Sequence, residues 1–176
     1  MIRKLHIGGK QVKEGWEILN ANEFDGVDHV MNAMDLSAFE DGTFSEIYSS
    51  HVVEHFDFRG ELRPVLREWY RVLKPGGKMM VSVPDLDILC AMMMDKKQLD
   101  TAHRWKIMIM MFGAHVDQYD FHKVGLNFEF LANILMDEQF VDVRRVKSFG
   151  LFDDSSEYKF VGVPISLNVI ANKAMN

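Results

Sequence analysis

The sequence is short of the features that mark exported, membrane-bound and nucleic-acid-binding proteins. A single cysteine, Cys90, occurs in 176 residues, so no intrachain disulfide can form and nothing points to an oxidising compartment. Long apolar runs are missing as well: Leu86 to Met94 and Ile107 to Ala114 fall well short of the roughly 20 residues that span a bilayer. The N-terminal apolar stretch runs into Gly8 and Gly9 before it reaches signal-peptide length. Cations are outnumbered, 20 Lys and Arg against 26 Asp and Glu for a net charge of −6, which opposes a polyanionic partner because phosphate binding needs clustered positive charge. No internal repeat, low-complexity tract or flexible linker divides the chain. These absences predict a cytoplasmic protein, without nucleic-acid or membrane partners, made of one domain over residues 1–176.

What is present is a series of short apolar runs bounded by Gly, Pro, Asn or Asp, with amphipathic helical stretches between several of them. That alternation predicts an α/β domain with a largely parallel sheet. Seven strands are expected: Arg3 to Ile7, Trp16 to Leu19, His29 to Met34, Glu46 to Ser50, Lys78 to Val83, Val141 to Phe149 and Ile165 to Asn172. From Glu61 to Leu73, apolar residues at spacings of three and four (Leu62, Val65, Leu66, Trp69, Tyr70, Leu73) predict a helix lying on the sheet. Pro64 falls in its first turn, and Pro75-Gly76-Gly77 ends it. Asn127 is placed to cap a second helix with Phe128, Leu131, Ala132 and Leu135 along one stripe.

Residues 86–125 read as a helical insert on the substrate side. The 13 methionines read mainly as core filling, and Trp69 and Trp105 as packing residues. The first three strands are joined by very short links. A parallel crossover usually takes a dozen or more residues and often a helix, so either the early helices are vestigial or one of these strands is misassigned; missing helices would leave one sheet face under-covered. A second copy of the chain would cover it, which predicts a homodimer.

The pieces Leu5-His-Ile-Gly-Gly-Lys10, Gly15-Trp-Glu-Ile-Leu-Asn20 and Met34-Asp-Leu-Ser37 stand in that order. They are followed by Phe39 through His55, Leu66 to Gly77, Val81 to Asp85, Tyr119 to Lys123 and Ile165 to Asn168. Nearly the whole chain, taken this way, resembles a small family of class I methyltransferases with a Rossmann-like fold. The resemblance implies S-adenosylmethionine as cofactor, with Ile7, Gly8, Gly9 and Lys10 along its methionine half, Asn20 at the ribose, Asp35 and the backbone of Leu36 at the adenine edge, and His51 bordering the pocket. His55, Tyr119 and Asp120 are the substrate-side candidates, and His122 is the candidate general base. The acceptor implied is a small molecule or a glycan-linked group.

Two positions depart from the family pattern. Lys10 stands where a glycine closes a Gly-x-Gly motif, and Asn20 where an aspartate binds the ribose. An amide still bonds a diol, but without the charge-assisted component that makes such bonds roughly twice as strong. The second reading is therefore a non-catalytic relative whose crevice holds another nucleotide or a protein.

One rival pattern is present. His51-Val-Val-Glu54-His55 matches the inverted zinc-protease motif, which needs its ligands along one helical face. The motif follows directly on a strand and leaves little room for that helix, so no metal is expected. Asp153-Asp154-Ser155-Ser156 reads as a solvated turn.

Overall fold

The computed structural model describes residues 2–175. Seven strands form one sheet: β1 (Lys4–Ile7), β2 (Glu17–Asn20), β3 (His29–Val30), β4 (Phe44–Ser50), β5 (Leu73–Pro84), β6 (Val141–Val146) and β9 (Ser166–Asn172), in the order β3-β2-β1-β4-β5-β9-β6. Neighbours from β3 to β5 pair in parallel, whereas β9 runs antiparallel to both β5 and β6. A short ribbon, β7 (Lys159–Phe160) with β8 (Val163–Pro164), lies outside the sheet and has no counterpart in the sequence reading. The helices are α1 (Leu62–Val72), α2 (Leu86–Met94), α3 (Thr101–Phe112) and α4 (Phe128–Asp137). The fold is thus the mainly parallel α/β sheet expected. No helix among the described residues is long and apolar enough to cross a membrane.

One face of the sheet carries the main core. Leu5, Ile47, Met79 and Ala171 lie in register across β1, β4, β5 and β9, and α1 and α4 close over this face with Leu62, Leu66, Trp69, Leu131 and Leu135. Each such side chain contributes roughly 1.5–3 kcal/mol by burial. Trp69 also donates its indole N–H to the Ala33 carbonyl at 2.9 Å, which pins the link after β3 to α1. Asn127 caps α4 as expected, its Oδ1 accepting from the Phe130 amide at 2.9 Å.

The other face shows how the chain manages without early crossover helices. Residues 8–16, 21–28 and 31–43 contain turns and no helix. Across this face His6, Tyr48, Met80 and Ile170 stand in register, and the segment after β6 folds over them with Phe149, Leu151 and Phe152, beside Trp16. The β3-to-β4 link is held instead by Arg71, whose guanidinium donates to the Leu36 and Phe39 carbonyls and to Asp41.

Several expectations need correction. β6 ends at Val146, because the following residues leave the sheet so that Phe149 can pack edge-on against Tyr48. β3 stops at Val30, and the following links fold into turns held by Asn32 and Asp35 side chains. Asp153 to Ser156 is not a solvated turn: Asp154 accepts from the Tyr48 hydroxyl at 2.8 Å and from Ser50 Oγ at 3.2 Å, and Ser156 is buried. Trp105 does not pack into the core, being 64% exposed on α3. The α2–α3 pair packs through Leu89 and Ile107 onto Phe160 and Ile165 as a separate small cluster.

Candidate active site

Ligands of open parallel sheets bind beyond the carboxyl ends of the strands, where strand order reverses. Here that place lies past β1, β2 and β4. The chain turns at Gly8 with φ of +75° while its amide donates to the Leu19 carbonyl at 2.8 Å. Only a residue without Cβ fits, since a Cβ there would lie 2.4 Å from Val52 Cγ2. A cleft of about 580 Å³ opens at this turn. It brings together Gly8, Lys10, Asn20, His51, His55, Tyr119 and Asp120 from the residues read in the sequence. Residues 116–121, the stretch after α3, form one wall, and Asn32, Ala33 and Met34 form another.

The remaining sequence candidates lie elsewhere. Ile7 and Leu36 are fully buried in the core. Gly9 is pressed against the His6 ring, 2.6 Å from where its Cβ would be, and its carbonyl accepts from Asn20 Nδ2 at 3.1 Å. Asp35 is outside the cleft wall, its Oδ1 accepting from the Ser37 amide at 3.0 Å, and bonding to Ser37 holds its carboxyl below the ordinary value. Asn20 is committed at both ends, because its Oδ1 accepts from the Asn22 amide at 3.0 Å. One amide hydrogen and one lone pair remain for a ligand.

Beneath the cleft lies a group that sequence reasoning took apart. His51, Glu54 and His55 do not share a helical face: Val53–His55 is a single 3-10 turn. Glu54 is 1% exposed, and neither carboxylate oxygen has a hydrogen-bond partner among the described residues. His51 Nδ1 stands 3.3 Å from Glu54 Oε1, and His122 Nε2 stands 4.0 Å away. The His55 and His122 rings meet edge to face with centroids 4.8 Å apart.

Burial pushes the Glu54 carboxyl up, but His51 first, then His55 and His122, outweigh it and hold the group below its ordinary value. The His122 ring is pushed down by burial, with the Glu54 charge opposing. His51 adopts φ of +53°, a left-handed conformation that costs a non-glycine residue of order 1–3 kcal/mol. Its amide donates to the Ser82 carbonyl at 2.9 Å, and its Nε2 lies 2.9 Å from Ser166 Oγ, so the strained backbone is held from two sides.

Sequence reasoning missed Glu54 as a site residue because the zinc-protease pattern was weighed as a whole helix and set aside as a whole. It also missed Asn22, Asn32, Glu61 and Lys123, which line the cleft. The Glu61–Lys123 pair, at 2.8 Å, joins positions far apart in the chain that no spacing signals.

This sheet order and the placement of the cleft define the fold of the class I methyltransferases. Residues 5–81 match the model of a methyltransferase domain family. Among solved structures, a SAM-dependent methyltransferase from Archaeoglobus fulgidus superposes with a TM-score of 0.62 at 19% identity, over 98% of this chain and 86% of that one. A second, from Methanosarcina mazei, superposes with a TM-score of 0.58 at 16% identity, over 99% and 93%. The chain spans 48% of the CurJ carbon methyltransferase, with a TM-score of 0.57, 14% identity and 98% of this chain covered. Among curated proteins nothing matches. The resemblance read from the sequence agrees with the methyltransferase-domain match over residues 5–81 and with the fold shared by these structures.

Proposed function

We propose that the chain is an S-adenosylmethionine-dependent methyltransferase acting on a small or glycan-linked acceptor. The observation that carries this reading is the cleft past β1, β2 and β4, which joins the glycine turn, the end of β2 and the loop after β4 in one space. Its volume of about 580 Å³ falls in the roughly 300–1,000 Å³ range of small-molecule sites. The residues present fit the cofactor. Lys10 faces its carboxylate as a point charge, Asn20 offers its free hydrogen and lone pair to the ribose hydroxyls, and Asn32 to Met34 take the adenine side in place of Asp35 and Leu36. The bound sulfonium supplies an electrophilic methyl group.

The protein's part is to bind and orient, since an in-line displacement gains most from proximity and alignment. Tyr119 and Asp120 flank the acceptor, and residues 116–121 exclude water from it. Where the acceptor must lose a proton, this falls to the His55–His122 pair, in which His55 faces the cleft and His122 stands behind it.

The test is calorimetric titration of the folded protein with S-adenosylmethionine and S-adenosylhomocysteine. Binding of either with one site per chain is expected. Folded protein that binds neither refutes the reading and leaves the non-catalytic alternative, in which the same crevice serves another nucleotide or a protein.

A further inference from the structure

We propose that Glu54, His55 and His122 form a site for a divalent transition ion of the zinc type, with an open position toward the cleft. The group lies apart from the cofactor-binding residues but includes the His55–His122 pair assigned above as base; with an ion bound, the two rings act as ligands and the ion takes over the task of easing the acceptor's proton away. Its metal test does not rest on the methyl-transfer reading. Its donor atoms, one from each residue, all lie within 4.8 Å of one another.

The first argument is the unsatisfied polar atoms. A carboxylate taken out of water without partners costs several kcal/mol, yet both Glu54 oxygens are buried without a hydrogen bond, and so is Nδ1 of His122. The nearest ring atoms are His51 Nδ1, 3.3 Å from Glu54 Oε1, and His122 Nε2, 4.0 Å away; a cation among Glu54, His55 and His122 would satisfy the buried carboxylate more fully than these contacts do. The donor chemistry is selective too: two imidazoles and a carboxylate suit zinc and its first-row neighbours rather than magnesium or calcium. A His₂Glu set plus one open position is the ligand pattern of catalytic zinc sites.

Second, the outer shell is in place for His55. Ligating histidines usually donate their other ring N–H to a carbonyl or carboxylate, which fixes the tautomer. His55 Nδ1 lies 3.1 Å from the Phe121 carbonyl oxygen. A proton on Nδ1 makes that bond and leaves Nε2 with its lone pair free. The backbone holds the two contributing segments together, since the amides of Lys123 and Val124 both donate to the Glu54 carbonyl, at 2.8 and 3.3 Å. A tetrahedral ion with bonds of about 2.0–2.1 Å draws its donors to roughly 3.4 Å apart, so the widest pair must close. The half-buried ring of His55 is the member placed to turn. His55 lines the cleft, as do Phe121 and Lys123 on either side of His122, so the fourth position points to where an oxygen of a bound small molecule would sit. Such an ion would ease loss of a proton from that oxygen.

The experiment uses the full chain carrying Cys90→Ser, because the exposed thiol would bind zinc by itself. After chelator treatment, Zn²⁺ is titrated in competition with a chromophoric chelator. One ion per chain is expected, with Glu54→Gln and His122→Ala each weakening it at least about tenfold and His103→Ala, on α3, leaving it unchanged. In the parent chain itself, Zn²⁺ should move the ring resonances of His55 and His122, a readout that holds even if a variant fails to fold. No retained zinc, equal retention by folded Glu54→Gln, or shifts confined to other histidines would overturn the proposal.

Discussion

Replacing Gly8 by alanine tests the geometry on which the cleft depends. Two separate costs are expected. The backbone there is left-handed, which penalises a residue with Cβ by about 1–2 kcal/mol. The new methyl would also sit 2.4 Å from Val52 Cγ2, an overpacking of about 1–3 kcal/mol. Gly8→Ala should therefore lose about 2–5 kcal/mol, and for a chain of this length each kcal/mol lowers the Tm by about 2–4 °C. Urea denaturation measures the loss, and a double-mutant cycle divides it. In the Val52→Ala background the steric part disappears and the backbone part stays, so Gly8→Ala should then cost only about 1–2 kcal/mol. A single-variant loss under about 0.5 kcal/mol, within the range of an ordinary surface change, would refute the argument. So would a cost that Val52→Ala leaves untouched.

Further predictions concern the opposite sheet face and the ribose end. Burial pushes the His6 ring down to about 4 from 6.5. The unfolded chain therefore takes up the proton first as pH falls, and stability is full above about pH 6.5 and declines toward pH 4, by up to about 3 kcal/mol. His6→Leu should flatten that slope in denaturation curves compared at pH about 7.5 and 5; an unchanged slope would show that His6 is not responsible. Asp154→Ala removes the nearer of two acceptors of the Tyr48 hydroxyl, Ser156 Oγ remaining at 3.1 Å, together with the acceptor of Ser50 Oγ and of the Ser156 amide; it should cost about 1–3 kcal/mol, part of it recovered by adding Tyr48→Phe. Equal costs in both backgrounds would disprove the pairing. Asn20→Asp should tighten S-adenosylmethionine up to about tenfold by restoring a charge-assisted bond, while lowering the Tm, because the carboxylate can no longer donate to the Gly9 carbonyl; calorimetry and thermal melts read the two effects separately.

The architecture was legible wherever a periodic apolar pattern met a turn signal. The helix from Leu62 and the cap at Asn127 emerged from spacing alone, and the sheet strands followed from apolar runs of strand length. The short links were also read correctly, but what replaces the helices was not. The cover is supplied by Phe149, Leu151 and Phe152, whose contacts with Tyr48 and Trp16 join positions over a hundred residues apart, and no local pattern encodes such a pairing. The same limit applies at the site. Gly8, Lys10 and Asn20 sit near strand ends and could be assigned to the crevice from topology. Leu36 was read through its backbone alone; its side chain fills the core and its carbonyl accepts from Arg71, a contact made by a residue of α1 that topology does not signal. The histidine at 122 was noticed as chemistry in a loop, but its proximity to Glu54 depends on backbone bonds between segments that are distant in sequence.

The position of β9 has a consequence for how the molecule assembles. This late strand is inserted between β5 and β6, and among the described residues β6 has no other neighbour in the sheet. During synthesis β6 therefore emerges with nothing to pair with, and the row of His6, Tyr48, Met80 and Ile170 stays incomplete until β9 arrives. Contacts so widely separated along the chain make for slow, all-or-none closure. A nascent chain halted before Ser166 would hold α1 on its strands yet present a bare sheet edge at β5, the kind of surface that recruits chaperones or other unfinished chains.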